Sequence, residues 1–215
     1  MKINQDKSKL MLFNTSRIND FSPTISINGT ELEVVEEMKL LGVMITNDVK
    51  WSKNTEYITK KGFARLWMMR RLKRFGASRA DLLDTYIKQV RSVLELAVPV
   101  WHPALTVYDV GQIERVQKSA LAIILGPNYR SYRNALEILE MDTLEERRKS
   151  LCVKFALKAS THPTFKNWFK ESKVSKPRGS SNVPKEKYIQ PYTRTGRFED
   201  SPIPYLTKLL NDHYR

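Results

Sequence analysis

One cysteine, Cys152, stands in 215 residues. That excludes an intramolecular disulfide and any zinc site built from a cysteine cluster. Histidine is nearly as scarce. None of His102, His162 and His213 has a carboxylate two residues on, or a second histidine three or four residues on. No iron facial triad and no helical zinc pair is therefore encoded locally. The eight glycines are scattered and form neither a GxGxxG turn nor a phosphate loop. No GxSxG elbow occurs. Neighbouring acids such as Glu36-Glu37 and Glu145-Glu146 fit surface or helix-start roles. Glu199-Asp200 lies in a proline-containing stretch, and nothing resembles two strand-turn aspartates able to hold a pair of magnesium ions. Long apolar runs are missing too: none approaches the roughly 20 residues needed to span a bilayer. The start, MKINQDKSK, is charged and lacks the apolar region of a signal peptide. The expectation is an intracellular protein, nuclear or cytoplasmic, not secreted and without a membrane partner.

What is abundant is positive charge. Lysine and arginine number 37 against 23 acids, a net +14 that favours polyanionic partners. A hydrophobic content of 41% supports one packed domain with appendages. The charge concentrates in the stretch Leu40 to Gly76. Between Trp51 and Arg74 stand Lys53, Lys60, Lys61, Arg65, Arg70, Arg71, Lys73 and Arg74 against one acid, Glu56. The rings of Trp51, Tyr57, Phe63 and Trp67 lie among them. At about 100° per residue, Ile58, Gly62, Leu66, Met69 and Leu72 share one face, which is the expected core face. Phe63 and Trp67 fall nearly opposite, with Lys60, Arg70, Arg71 and Arg74. Either a second helix covers those rings, or they meet bases and sugars by stacking and cation–π contact. The candidate nucleic-acid-binding residues are Lys60, Phe63, Arg65, Trp67, Arg70, Arg71 and Arg74.

The pattern along the chain predicts an α+β protein, mostly α. Residues 1–50 read as a small antiparallel β-sheet. Leu10 to Phe13 makes a short strand, Asn28-Gly29 signals a hairpin between Ile25/Ile27 and Leu32/Val34, and Leu40 to Ile45 gives a further strand. Residues 51–170 read as a helical bundle. Ser52 or Asn54 starts its first helix and Gly76 ends it. Ser78 with Asp81 starts a second helix, running towards Pro99. A third runs from about Asp109 to Leu125 and stops at Gly126-Pro127. A short one spans Ser131 to Leu139. Thr143-Leu-Glu-Glu146 forms a capping box for the last. Trp101 and Cys152 read as core, and Arg147, Arg148 and Lys149 as a solvated helix start. Residues 171–215 read as a basic, largely disordered tail with a short terminal helix, Pro204 to Asn211.

Several of these pieces, in order, resemble the reverse transcriptases of jockey- and CR1-like non-LTR retrotransposons. Asn4-x-x-Lys7-Ser8-Lys9 followed by LMLF is similar to the segment just after that family's catalytic aspartates. Leu41-Gly42-Val43, then Trp51 and the basic helix, resembles its primer grip leading into the thumb. VWHPAL, IERVQKSALAIILG, LEILEMDTLEERRKSLCVKFALK and YTRTGRFEDSPIPYLTKLLN resemble the helical region beyond the thumb and the C-terminus. The likeness covers nearly the whole chain. It implies a C-terminal fragment: palm edge, thumb and connector, with the catalytic aspartate pair upstream of Met1. Lys7 matches the family's post-catalytic lysine, whose implied role in protonating departing pyrophosphate is idle without those aspartates. As a lone chain the fragment is not an enzyme and needs no cofactor; magnesium is implied only for the intact polymerase. Its implied partner is RNA or an RNA–DNA duplex, with the missing palm and fingers in trans as a further one. Two alternatives stand beside it, a non-catalytic interaction domain and a truncated version of an intact polymerase gene.

Overall fold

The computed structural model describes residue 4, residues 8–13, 24–172 and 186–214. The chain is mostly helical, with small two-stranded ladders at its N-terminal end. β1 (Lys9–Leu10) pairs in parallel with β4 (Glu33–Val34). β2 (Ser26–Ile27) and β3 (Thr30–Glu31) form a hairpin through Asn28 and Gly29, both at positive φ as a type I′ turn requires. β5 (Glu37–Leu40) and β6 (Val43–Thr46) form a second hairpin. The strand read from Leu40 to Ile45 is therefore corrected. Leu41 and Gly42 are its two-residue turn, at φ 48° and 92°. Gly42 is required there twice over, because a Cβ would also stand 2.8 Å from Leu96 Cδ2. Where a single antiparallel sheet is expected for residues 1–50, the described residues form three separate ladders, one of them parallel.

α1 (Ser52–Arg74) is the longest helix, and no side chain caps its N-terminus. Its C-terminus closes on Gly76 at φ 85°: the Ala77 amide reaches Leu72 O and the Gly76 amide reaches Lys73 O, a Schellman closure. α2 (Arg79–Thr85) begins with the Ser78–Asp81 capping box. It runs without a break into a π-helical segment, Tyr86–Arg91, and then α3 (Ser92–Leu94). α4 (Val98–Trp101) follows Ala97, which sits at φ 53°. α5 (Val107–Leu125) starts with a capping box between Thr106 and Asp109, slightly earlier than its apolar spacing suggests. α6 (Tyr132–Ile138) and α7 (Leu144–Thr161), the latter with the expected Thr143–Glu146 box, complete the body.

The core lies where α1 crosses α5 and the α2–α3 helix. Gly62 makes that crossing close, since a Cβ there would stand 2.9 Å from Val116 Cγ1 and 3.2 Å from Leu94 Cδ2. Trp101 and Cys152 are fully buried, as their spacing predicts. Arg148 is not part of a solvated helix start. It is fully buried as well, and Arg147 forms a bidentate pair with Glu95, at 2.6 and 3.1 Å.

Part of the C-terminal stretch read as tail is also folded, over 186–214. α8 (Gly196–Glu199) leads into α9 (Pro202–His213), which packs on α7 and buries Leu206, Leu209 and Leu210. Before it, Tyr188 bridges to Glu171. The Asn211 amide holds both the N–H and the C=O of Tyr188, each at 2.9 Å. Residues 173–185, the remainder of the predicted disorder, lie outside the described residues.

Candidate nucleic-acid interface

α1 presents two faces because its apolar residues recur at helical spacing. Thr55, Ile58, Gly62, Leu66 and Met69 are buried on one side. Ser52, Lys53, Glu56, Lys60, Trp67, Arg70, Arg71 and Arg74 are exposed on the other. At 1.5 Å per residue, the stripe from Lys53 to Arg74 is about 32 Å long, close to one turn of a nucleic-acid duplex.

The two rings predicted for this face part company. Phe63 is half-buried and packs against the core. Trp67 is 60% exposed. The Arg71 guanidinium lies over its ring, 4.9 Å from the centroid, and 5.7 Å from the ring of Phe75 on the far side. Phe75 is 77% exposed. Trp67, Arg71 and Phe75 therefore make a ladder of three flat groups at i, i+4 and i+8, held in place by cation–π contact. Sequence spacing gives Phe75 that position, but it lies past the end of α1, and only the closed C-terminus brings it alongside Arg71.

Arg65 leaves the proposed set. It sits on the flank facing the α2–α3 helix, and its Nη1 donates to the Gln89 carbonyl inside the π segment. Lys73 is likewise engaged, donating through Nζ to Ile123 O near the end of α5. Lys39 and Lys61 both lie against the ring of Tyr57, 5.2 and 4.8 Å from its centroid, and Lys39 first, then Lys61, hold its hydroxyl below the ordinary tyrosine range. Lys53 is 3.8 Å from Glu37 across to β5. The cations that the structure leaves gathered on the stripe are Lys60, Arg70, Arg71 and Arg74.

The primer-grip-like residues are brought next to this helix. Asn54 Oδ1 accepts from the Met44 amide at 3.1 Å and ties β6 to the first turn of α1. Val43 is buried, whereas Leu41 at the hairpin tip is 91% exposed. Lys7 lies outside the described residues.

A further polar cluster has no signal in the residue pattern. Tyr86 Oη donates to Gln117 Oε1 at 2.5 Å, and the Gln117 amide donates to Tyr132 Oη and Asp142 O. Tyr132 donates to Glu114, whose other oxygen receives the Glu145 amide at the start of α7. Every member has a partner, which marks a structural network that fixes α5 against α6 and α7. Among the described residues no three His, Cys, Asp or Glu side chains gather closely enough to hold a metal ion, and no helix is long and apolar enough to cross a membrane.

The fold and the stripe together define a mostly helical protein with one long basic, ring-bearing helix face. Comparison with protein-family models, with curated proteins and with solved structures gives no match.

Proposed function

We propose that this chain binds nucleic acid along the exposed face of α1 and does no chemistry by itself. It would be the palm-edge, thumb and connector portion of a non-LTR retrotransposon reverse transcriptase without the catalytic aspartates. The observation that carries the binding is the Trp67–Arg71–Phe75 ladder standing open among Lys60, Arg70 and Arg74. Four cations spread over about 21 Å of helix, roughly two thirds of a duplex turn, fit a sugar-phosphate backbone and read no sequence. The exposed rings add stacking or sugar contact, which phosphate alone does not require. The resemblance of the flanking segments to a primer grip and thumb supports the duplex, RNA or RNA–DNA, as the form held. Magnesium, and the palm and fingers that would bind it, belong to the intact polymerase.

A salt titration of binding to an RNA–DNA duplex tests this. Neutralising about four phosphates gives a log–log slope of roughly −3 to −4. The variant with Lys60, Arg70, Arg71 and Arg74 all changed to Glu should lose at least about a hundredfold in affinity at about 50 mM salt. An unchanged affinity in that variant removes α1 from the binding surface.

A further inference from the structure

At the N-terminal end of the stripe the first turns of α1 and α5 face each other across a cleft of about 330 Å³. It is lined by Ser52, Lys53, Thr55, Glu56, Tyr108 and Gln112, with Asp109 and Thr59 behind them. We propose that this cleft takes one unpaired nucleobase of a strand lying along α1. The inference rests on the nucleic-acid reading above and adds the form of the ligand, a duplex with a single-stranded end.

The chemistry of the lining selects the base over the rest of a nucleotide. Glu56 and the buried Asp109 repel a phosphate, so the charged part of a nucleotide must stay outside. Lys53 lines the cleft on the same face of α1 as Lys60, and its 3.8 Å pairing with Glu37 is solvent-exposed, so a phosphate outside the cleft can take that carboxylate's place. Carboxylates accept hydrogen bonds, and an occupant must bring N–H or O–H donors, which the amino and imino edges of bases supply. Tyr108 is 73% exposed at the mouth, a flat ring with nothing covering it. Such a ring is the usual platform for an unstacked base. The cleft falls in the size range of small-ligand sites.

A separate observation points into the same place. Thr55 is 1% exposed and lines the cleft, yet its Oγ1 has no hydrogen-bond partner among the described residues. Buried hydroxyls are ordinarily satisfied. Its neighbour Thr59 is satisfied by the Thr55 and Glu56 carbonyls, at 2.7 and 3.1 Å. Asp109 is likewise occupied, by Ser52 Oγ at 3.2 Å and Thr106 Oγ1 at 2.6 Å, and serves to build the wall. Gln112 Oε1 accepts from Arg115 at 3.1 Å, which leaves its amide hydrogens as donors.

The test uses the full chain and three ligands: a blunt RNA–DNA duplex, the same duplex with a three-nucleotide single-stranded end, and that end made abasic. Stacking one base on an aromatic ring corresponds to about a tenfold gain. The overhang should bind about tenfold tighter than the blunt duplex, and the abasic end should lose the gain. Tyr108→Ala and Thr55→Val should each remove most of it while leaving blunt-duplex affinity unchanged. Both keep the fold, since Tyr108 is exposed and the Thr55 hydroxyl has no bond to lose, and a thermal melt verifies this. Equal binding of normal and abasic ends, or a full gain retained by Tyr108→Ala, overturns the inference and leaves the α1 reading intact. Failure of all three ligands to bind overturns the α1 reading and this inference with it.

Discussion

Replacing Arg148 by methionine should make the protein more stable. Arg148 is fully buried on α7, and its Nη1 and Nη2 meet no acceptor among the described residues. Its one hydrogen bond is long, from Nε to His102 Nδ1 at 3.4 Å. Burial pulls its pKa down; Glu114, Glu145 and Glu95 pull the other way from a distance. A buried ion without a close counter-charge costs several kcal/mol, and an apolar side chain of similar volume in its place commonly recovers about 1–4 kcal/mol. The lost Nε bond gives back about 1 kcal/mol. Methionine keeps most of the stem's packing and its flexibility fills the remaining space. The net expectation is a gain of up to about 3 kcal/mol. For a chain of this size 1 kcal/mol moves Tm by roughly 2–4 °C, so a rise of up to about 6–12 °C should appear in a calorimetric scan. Arg148→Ala is the control: it leaves a cavity and should fall below wild type by about 2 kcal/mol or more. A fall of Tm in Arg148→Met would refute the reasoning, because it would mean the guanidinium is well satisfied in the native state.

Two further outcomes follow from the same region and from the C-terminal closure. Burial first, and the neighbouring Arg148 second, hold His102 down at about 4, against about 6.5 in the unfolded chain. The native state refuses a proton that the unfolded state accepts, so stability is intact above about pH 6.5 and is lost as pH falls towards about 4. The loss at about pH 5 is at most about 2 kcal/mol, read as a drop in urea midpoint, and His102→Gln should flatten it. Asn211→Ala removes both hydrogen bonds to Tyr188 from a site 3% exposed and should cost about 2–3 kcal/mol. The same change should expose the segment around Tyr188 to limited proteolysis before the rest of the chain; cleavage no faster than in wild type would deny Asn211 that clamping role.

Local chemistry makes the helices legible. The Ser78–Asp81 and Thr143–Glu146 boxes sit where their spelling places them, and Gly76 stops α1 through a closure that needs its positive φ. The Thr106–Asp109 box has the same spelling, but the apolar periodicity of α5 starts later than its cap and points to a start near Asp109. Non-local facts are not legible. Arg147-Arg148-Lys149 reads as a charge run, and it is neighbours from elsewhere in the chain, His102 among them, that bury Arg148. Leu41-Gly42 lacks the Asn-Gly spelling that announces the β2–β3 hairpin, so the β5–β6 turn reads as part of an uninterrupted strand. The helical wheel puts Trp67, Lys60, Arg70, Arg71 and Arg74 opposite the core face, and all five are exposed. It gives Phe63 nearly the same angle as Trp67, and what separates them is how far the neighbours of α1 wrap round that flank. Charge alone puts Arg65 on the interface, whereas its partner is a backbone carbonyl in a π-helical segment that nothing in the residue pattern signals.

That segment has a bearing on insertions and deletions. A π-helical turn carries about one residue more than an α-helical turn, so every side chain after Arg91 is rotated by about one residue's worth of azimuth, roughly 100°. Leu94 meets the gap left by Gly62 only because of that rotation. Removing a single residue between Tyr86 and Arg91 would leave α2–α3 able to run on as ordinary α-helix, with its backbone bonds complete. It would leave Leu94 at nearly its present azimuth towards Gly62, because five α-helical residues sweep about the same angle as six π-helical ones. One residue added there, with no second π turn to absorb it, would instead turn Leu94 by about 100° and be felt on another helix altogether, at the Gly62 crossing. At this point of the chain length is thus as much a packing determinant as residue identity.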